Sequence, residues 1–456
     1  MFATDFEALI KSGAQCHMVG IGGVSMAPLA ELLFSLGVPV TGSDINESAA
    51  VHKLQALGID IQIGHDEKNI DGANFVIRTA AAHDDNPEIA GARRLGVPVF
   101  ERAQAWGAIM RGYQNAVCVA GAHGKTTTTS MVAQILLSAN ADPTVMIGGT
   151  LPTLGSGYCL GSGDTIILEA CEYCNSFHSF FPTKAVILNV DAEHLDFFGG
   201  LDDVKASFRQ FASLVPAGGH IVCNADDPNT LDALLPLNRP LFTFGLSADA
   251  RVRAENIQKA GAGMSFDLLF DGIPCGKIAL RIPGFHNVTN ALAAAATCLS
   301  LGLSAQVIAR GLAEFPGVDR RLQYKGACNG ADIYDDYAHH PREIHALLDA
   351  LFLLKYNRVL LVFQPHTYTR TKALFDGFVA ALSRADVLFL ADIYAAREKN
   401  TVGISSKDLA DQIAGAVYCP TFDEIIAKLR TIARKGDIIV TVGAGDIYKI
   451  GDALAR

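Results

Sequence analysis

The sequence predicts an α/β protein of three domains: an N-terminal Rossmann-like domain, a central P-loop ATPase-like domain and a C-terminal Rossmann-like domain. Three observations carry that expectation. Short apolar strand-like runs alternate with helical stretches along almost the whole chain. Two strand-to-helix junctions are glycine-rich, GIGGVS at 20–25 and GAHGKT at 121–126. Finally, 456 residues that are 50% hydrophobic and include 43 glycines provide core for about three domains.

The elements follow in order. Gln15 to Ile21 reads as a strand that runs into Gly20-Ile21-Gly22-Gly23. A helical pattern through Met26, Leu29, Ala30, Leu32 and Leu33 and a strand Val38-Pro39-Val40 ending at Ser43-Asp44 complete one βαβ unit. Strand-like runs at 60–63, 75–77 and 97–100 extend this unit into a first domain over residues 1–108. The second, over 109–318, opens with the Val117 strand and continues with strands at 165–168, 185–190 and 221–223. Alternating segments at 264–269 and 277–282, an alanine-rich helix over 288–301 and a turn at Phe315-Pro316-Gly317 close it. The third, over 319–456, has strands beginning at Ile333 and at 359–363, 387–391 and 437–442, separated by helical stretches.

Composition narrows the function. A formal net charge of −10 argues against a nucleic-acid partner, because phosphate-backbone binding leans on clustered Lys and Arg. No stretch approaches ~18 uninterrupted apolar residues and Asp5 and Glu7 precede any apolar run, so neither a signal peptide nor a membrane span is expected. A cytoplasmic location follows. The ten cysteines lack the spacing of a disulfide framework and read as small core residues in a reducing compartment.

The residues 117–129, VCVAGAHGKTTTT, have the build of a phosphate cradle. Gly121 and Gly124 lack Cβ atoms, so backbone N–H groups can curl round phosphate oxygens at a helix start whose dipole favours negative charge. Lys125 would reach the outer phosphates and the Thr126 hydroxyl would ligate the accompanying Mg2+. Val119 stands where the full P-loop pattern has glycine, so the motif is shortened. The turn at Gly20 resembles a dinucleotide fingerprint with Asp44 downstream, but Ser25 replaces its last glycine. It is compatible with nicotinamide, with another diphosphate such as a nucleotide sugar, or with a tight turn that binds nothing.

Other polar residues gather at strand ends. Glu169 ends one strand and Asp191-Ala192-Glu193-His194-Leu195-Asp196 follows another, so Glu169 and His194 are candidate metal ligands beside a triphosphate; a helix-start cap is the structural alternative for His194. Cys171 and Cys174 form a lone C-x-x-C and are expected simply to pack. Asn287 and Asn290 precede the alanine helix; a cap is the favoured reading of an asparagine there, although an amide also matches the edge of adenine. In the third domain 334–341 (YDDYAHHP) and 364–371 (QPHTYTRT) crowd ionisable residues after apolar strands, a density that suggests binding.

Taken in order, GIGGVSM, SD, TAAAHDDNPEI, GAHGKTTTT, LEA, NVDAEHLD, GFHNVTNALAA, GVDRR, DDYAHHP, QPHTYTRT and VGAGD resemble the Mur ligases of peptidoglycan synthesis over nearly the whole chain. The resemblance implies a UDP-sugar-binding domain (1–108), a central ATP-binding ligase domain (109–318) and an amino-acid-binding domain (319–456). It places Gly22, Gly23, Ser25, Met26, Ser43, Asp44, Thr79 and His123 along the UDP-sugar. Gly121, Ala122, His123, Gly124, Lys125, Thr126, Thr127, Asn287, Asn290, Arg320 and Asp336 would meet ATP. Thr126, Glu169 and His194 would hold Mg2+, and Lys125, Glu169, His194, His339 and Arg370 would serve catalysis.

GAHGKTTTT, DDYAHHP and QPHTYTRT look most like the family members that add L-alanine to UDP-N-acetylmuramate in cell-wall biogenesis. The implied chemistry is ATP-dependent amide formation through an acyl phosphate, in a monomer or homodimer. Some relatives carry arginine where this chain has Thr367. Several sister ligases use a carbamylated lysine; Lys205 matches its spacing poorly and is assigned no role. The rival readings are a ligase that joins a preformed tripeptide to the same sugar, a nucleotide-binding regulator without turnover, and nicotinamide-dependent reduction, which leaves the central ATPase without a use.

Overall fold

Five-residue runs such as Val359–Phe363 and Ile438–Val442 are buried at every position, as strands covered on both faces require. The computed structural model describes residues 2–194, 197–261, 263–354, 356–396 and 398–455; Leu195 and Asp196 of the NVDAEHLD motif lie outside them.

The chain forms three sheets, one in each third of the sequence. The N-terminal sheet is parallel, made of β1 (Cys16–Val19), β2 (Val40–Asp44), β3 (Asp60–Ile63), β4 (Phe75–Arg78) and β5 (Val99–Glu101) in the order β3-β2-β1-β4-β5. The chain moves outward from β1 to β3, then resumes on the other side of β1. That reversal opens a crevice at the carboxyl ends of β1 and β4, where the glycine turn and Thr79 lie. Gly20 has φ 75°, and a Cβ there would meet Thr79 Cγ2 at 2.5 Å.

The central sheet contains β6 (Asn115–Ala120), β7 (Thr144–Leu151), β8 (Ser156–Cys159), β9 (Thr165–Glu169), β10 (Lys184–Ile187), β11 (His220–Asn224), β12 (Leu241–Gly245), β13 (Val252–Ala260), β14 (Gly263–Phe270) and β15 (Ile273–Leu280). Its order is β15-β14-β13-β12-β11-β10-β6-β9-β7-β8. After β6 the chain fills one flank, then crosses to β10 on the other, so the loop after β6 sits at a second reversal point. The helix that follows, Lys125–Ser138, is buried continuously from Thr126 to Leu136. The C-terminal sheet, β16 (Gln323–Cys328), β17 (Ala331–Asp336), β18 (Val359–Phe363), β19 (Val387–Leu390), β20 (Val417–Tyr418) and β21 (Ile438–Val442), runs β16-β17-β21-β18-β19-β20, with only β16 antiparallel to its neighbour.

The chain divides into two compact units, residues 1–255, 268–276 and 290–312 in one, and 256–267, 277–289 and 313–456 in the other. In the first, one continuous apolar cluster joins the N-terminal and central sheets, from Phe6, Phe75 and Phe100 to Phe177, Phe208 and Phe211. No helix among the described residues is long and apolar enough to cross a membrane.

Three local expectations are corrected. The strand read to Val190 stops at Ile187, because the Asn189 side chain and carbonyl bind the loop after β6. The alanine-rich helix begins at Phe285, so Asn287 and Asn290 lie inside it and do not cap it. Cys171 and Cys174 are exposed, unlike the buried Cys16, Cys118, Cys223, Cys298, Cys328 and Cys419. Cys174 lies in a turn where it and Asn175 take φ 53° and 54°.

Gly107 is where the helix Arg102–Met110 crosses the Tyr173–Ser179 turn, and a Cβ there would meet the Ser179 carbonyl oxygen at 1.9 Å. Gly107→Ala is expected to destabilise the first unit by roughly 1–3 kcal/mol through overpacking. Chemical denaturation followed at the first unit's single tryptophan, Trp106, checks it; an unchanged midpoint refutes the close contact.

Candidate active site

The loop after β6 is shaped by positions that exclude a side chain. Gly121 has φ 149° and Gly124 φ 83°. A Cβ on Gly121 would meet Leu188 Cβ at 2.9 Å, and one on Gly124 would meet Asn290 Oδ1 at 2.5 Å. Asn189 clamps the loop: its Oδ1 accepts from the His123 N–H at 2.8 Å, its Nδ2 donates to the His123 carbonyl at 3.1 Å, and its carbonyl accepts from the Ala122 N–H at 3.3 Å. Two of the loop amides are therefore committed to protein. The amides of the first helical turn, Lys125 to Thr127, have no intrahelical acceptor by position and face the loop mouth. Asn290 Oδ1 also accepts from Thr128 Oγ1 at 3.4 Å, tying the alanine helix to the loop.

The acidic partners come from the neighbouring strand. Parallel pairing sets Val119 opposite Glu169, which carries Glu169 to the loop. Thr126 Oγ1 donates to Glu169 Oε1 at 3.1 Å, and the Gly148 N–H donates to Glu169 Oε2 at 2.7 Å. Lys125 Nζ lies 3.1 Å from Glu172 Oε2 and bonds the Gly121 and Ala122 carbonyls. His194 Nε2 is 3.4 Å from Glu172 Oε1, and its ring lies against Tyr173 at 4.7 Å. His194 has φ 54°, and the helix Leu201–Ser213 has Gly200 at its cap position, so His194 does not cap it.

Glu172 is the residue that sequence reasoning missed, although it stands only three positions beyond Glu169. It is 1% exposed. Burial by itself would raise its carboxyl pKa, but the Lys125 ammonium and the His194 hydrogen bond outweigh burial and hold it at about 2. Burial likewise opposes the charge on Lys125, yet Glu172, with Cys171 and Glu169, keeps the ammonium above its ordinary range. The pair is thus fully ionised at neutral pH.

At the N-terminal crevice, the Gly22 N–H donates to Asp44 Oδ2 at 2.9 Å, and a Cβ on Gly22 would meet Val51 Cγ2 at 2.8 Å. Gly23 accepts from the Met26 N–H at 2.9 Å, closing the turn. Ser43 and Met26 are buried; the Ser43 hydroxyl donates at 2.6 Å to the buried Glu88, which also takes Asn69 and His65. Ser25, which follows the N-terminal glycine turn, and Glu169, which accepts from Thr126, line one cavity of about 230 Å³. Lys205 is remote from this chemistry, its Nζ 2.7 Å from Asp232.

The second unit carries a separate constellation at the carboxyl ends of β17, β18 and β21. Arg320 donates to Asp335 Oδ2 at 2.9 Å and to the Gly443 and Gly445 carbonyls, packed between the Tyr337 and Tyr448 rings. Asp336 accepts from the Leu322 and Ala338 amides, and burial raises its pKa to about 6. Arg370 lies 3.4 Å from His366 Nδ1, and the His366 and His339 rings are 6.0 Å apart. Thr367 takes φ 68° and ψ 145°, a backbone geometry costly for a β-branched residue. Asn287, also in this unit, donates to the Pro283 carbonyl at 2.7 Å. Burial, with Arg370 and Arg321 nearby and Glu343 opposing, lowers the His339 pKa to about 4.

The family profiles that match are the Mur ligase family catalytic domain over residues 15–114, the Mur ligase middle domain over 119–298 and the Mur ligase glutamate ligase domain over 320–445. The chain is 46% identical to a UDP-N-acetylmuramate–L-alanine ligase of Acetivibrio thermocellus, covering 96% of this chain and 95% of that one. It is 45% identical to the enzyme of the same name from Agathobacter rectalis, over all of both chains. Among solved structures, the UDP-N-acetylmuramate-alanine ligase of Thermotoga maritima matches with a TM-score of 0.80 at 30% identity, covering 97% of this chain and 98% of that one. A murein peptide ligase of Psychrobacter arcticus shares the fold, with a TM-score of 0.70 at 24% identity over 97% and 98% of the two chains.

The lowered pKa of His339 has a sign that can be measured. The fold favours the neutral ring, so its contribution to stability is complete above the ordinary histidine range near 6.5 and is lost as pH falls toward about 4. An NMR titration is expected to place the His339 midpoint near 4; a midpoint between 6 and 7 would mean a ring in free contact with water.

Proposed function

The chain belongs to the Mur ligase family, and from that premise we propose that it joins L-alanine to the lactyl carboxylate of UDP-N-acetylmuramate with hydrolysis of ATP to ADP and phosphate. One observation carries the reading: the Thr126 hydroxyl and the Glu169 carboxylate meet at 3.1 Å at the mouth of a glycine loop, and Glu169 lines the same cavity as the N-terminal glycine turn. A triphosphate and a sugar acid can then reach one another. Residues 1–108, 109–318 and 319–456 serve as the sugar-nucleotide, ATP and amino-acid portions, in a cytoplasmic enzyme.

The residues suit the groups they would hold. Gly121 and Gly124 leave space that any Cβ would fill, and the first-turn amides of the Lys125 helix point where a phosphate would sit. The Thr126 hydroxyl and the Glu169 and Glu172 carboxylates are hard oxygen donors, with the His194 imidazole beside them, a set that fits Mg2+. Bound there, Mg2+ would neutralise charge on the transferring phosphoryl group. Lys125 rests on Glu172 and on the loop carbonyls, so a triphosphate arriving at the loop takes over a cation already held in place.

The substrate carboxylate attacks the γ-phosphoryl group, and Lys125 offsets the charge that develops. The resulting acyl phosphate is attacked by the neutral amine of alanine, giving the amide and inorganic phosphate after proton loss. His339, kept neutral by burial, is the candidate to assist that proton loss, although its lowered pKa makes it a weak base, while the Arg370 guanidinium orients carboxylate groups. Asn287, Asn290, Arg320 and Asp336 complete the ATP contacts; Gly22, Gly23, Ser25, Met26, Asp44, Thr79 and His123 line the sugar nucleotide, with Ser43 supporting them from beneath.

Incubation with UDP-N-acetylmuramate, ATP, Mg2+ and L-alanine is expected to release phosphate and the alanyl sugar nucleotide; product with a tripeptide but none with alanine would overturn the substrate assignment. Lys125→Ala is expected to lower kcat by roughly 10²–10³-fold or more with the fold intact. Glu172→Gln leaves Lys125 and His194 without their shared carboxylate and is expected to lower kcat by a similar factor of about 10²; near-normal turnover in a folded Glu172→Gln protein would remove Glu172 from the site.

A further inference from the structure

The cavity lined by Ser25 and Glu169 has a cation that the reading above does not use. Arg102 opens the helix Arg102–Met110, and its guanidinium reaches the Ser25 hydroxyl, one residue before the Met26 that precedes the helix Ala27–Ser35. One turn further along, Trp106 Nε1 donates to the Ser25 carbonyl at 3.2 Å. Both side chains line the cavity, together with Val24, Ser25, Gly148 and Glu169.

Arg102 differs from the chain's other guanidiniums near that crevice. Arg78 pairs with Glu101 and Asp84, and Arg93 with Asp84. Among the described residues no carboxylate lies within ion-pairing distance of Arg102, and Glu169 across the cavity is already engaged by Thr126 and Gly148. Burial lowers the Arg102 pKa, and Cys171 and Glu101 offset that effect only in part. A half-buried guanidinium that faces a cavity with no carboxylate at ion-pairing distance is stabilised by a ligand that supplies the anion.

We propose that Arg102 is the group that grips the diphosphate of the sugar nucleotide, holding it at the Ser25 end of the cavity so that the sugar extends toward Glu169. The proposal rests on the sugar-nucleotide reading of the N-terminal domain. Its geometry is that of a planar fork: the guanidinium offers paired donors to phosphate oxygens beside the Ser25 hydroxyl. The diphosphate is then fixed at one end, and the acid is delivered to the loop at the other. Arg102 is a binding and positioning residue and takes no part in proton or phosphoryl transfer.

Trp106 is the chain's single tryptophan and shares this cavity wall, so its emission reports binding without turnover. UDP and UMP are titrated against wild type, Arg102→Ala, Arg102→Gln and Arg102→Lys, each checked for an unchanged thermal transition. The expected result is a UDP Kd raised at least about tenfold in Arg102→Ala, a UMP Kd changed by less than about threefold, and a smaller loss in Arg102→Lys. In turnover, KM for the sugar nucleotide rises by a similar factor while kcat stays within about threefold. Equal weakening of UDP and UMP, an unchanged UDP Kd, or loss of kcat at constant KM overturns the proposal. If Arg102→Ala fails to fold, the Gln and Lys variants decide by the same criteria. A wild-type protein that binds UDP but does not turn over UDP-N-acetylmuramate with alanine refutes the ligase reading, and the UDP titrations still decide the role of Arg102.

Discussion

A carboxylate buried as deeply as Glu172 must be paired, because an uncompensated buried charge costs several kcal/mol. It is paired twice, with Lys125 and with His194, and this fixes three parts of the chain against one another: the loop after β6, the turn after β9 and the segment after β10. The loop after β6 is therefore held in a fixed arrangement by its own partners. Its lysine is charged, its first-turn amides are open, and the Thr126 hydroxyl already addresses Glu169. Preorganisation of this kind lets the site stabilise developing charge without reordering itself during the reaction.

Sheet topology places that arrangement. In both the N-terminal and central sheets the chain reverses its direction of travel at the first strand of the sheet, and at each reversal a glycine turn faces a crevice. An apolar cluster is common to the two sheets, and Ser25 from the N-terminal part and Glu169 from the central sheet line one cavity. Arg102 and Trp106, one helical turn apart, belong to the N-terminal sheet's last helix yet form a wall of that shared cavity. In the second unit, Arg320 is held by Asp335 and two carbonyls, which gives the loop after β21 a fixed geometry.

What could be read from sequence was whatever local chemistry encodes. Gly121, Gly124, Lys125 and Thr126 are contiguous, so their cradle is legible without tertiary information, and Glu169 is legible because it terminates an apolar run. Asn290 invites a cap reading, since asparagine beside a helix usually caps it; its contact with Thr128 spans 162 positions and no local rule reaches that far. Glu172 was hidden for the same reason. Its bond to Lys125 spans 47 positions, and its cysteine neighbours draw attention to a C-x-x-C that turns out to be exposed.

The amino-acid sequence alone determined the class of the fold, the glycine loop after β6 and the family to which the ordered motifs point, because strand periodicity and glycine-lysine turns are written in consecutive residues. Tertiary structure decided which carboxylate meets Lys125, where the strand before Asn189 stops, and that Ser25 and Arg102 share a cavity with Glu169. Those facts depend on desolvation and on contacts between distant segments, which exist only once the chain has packed.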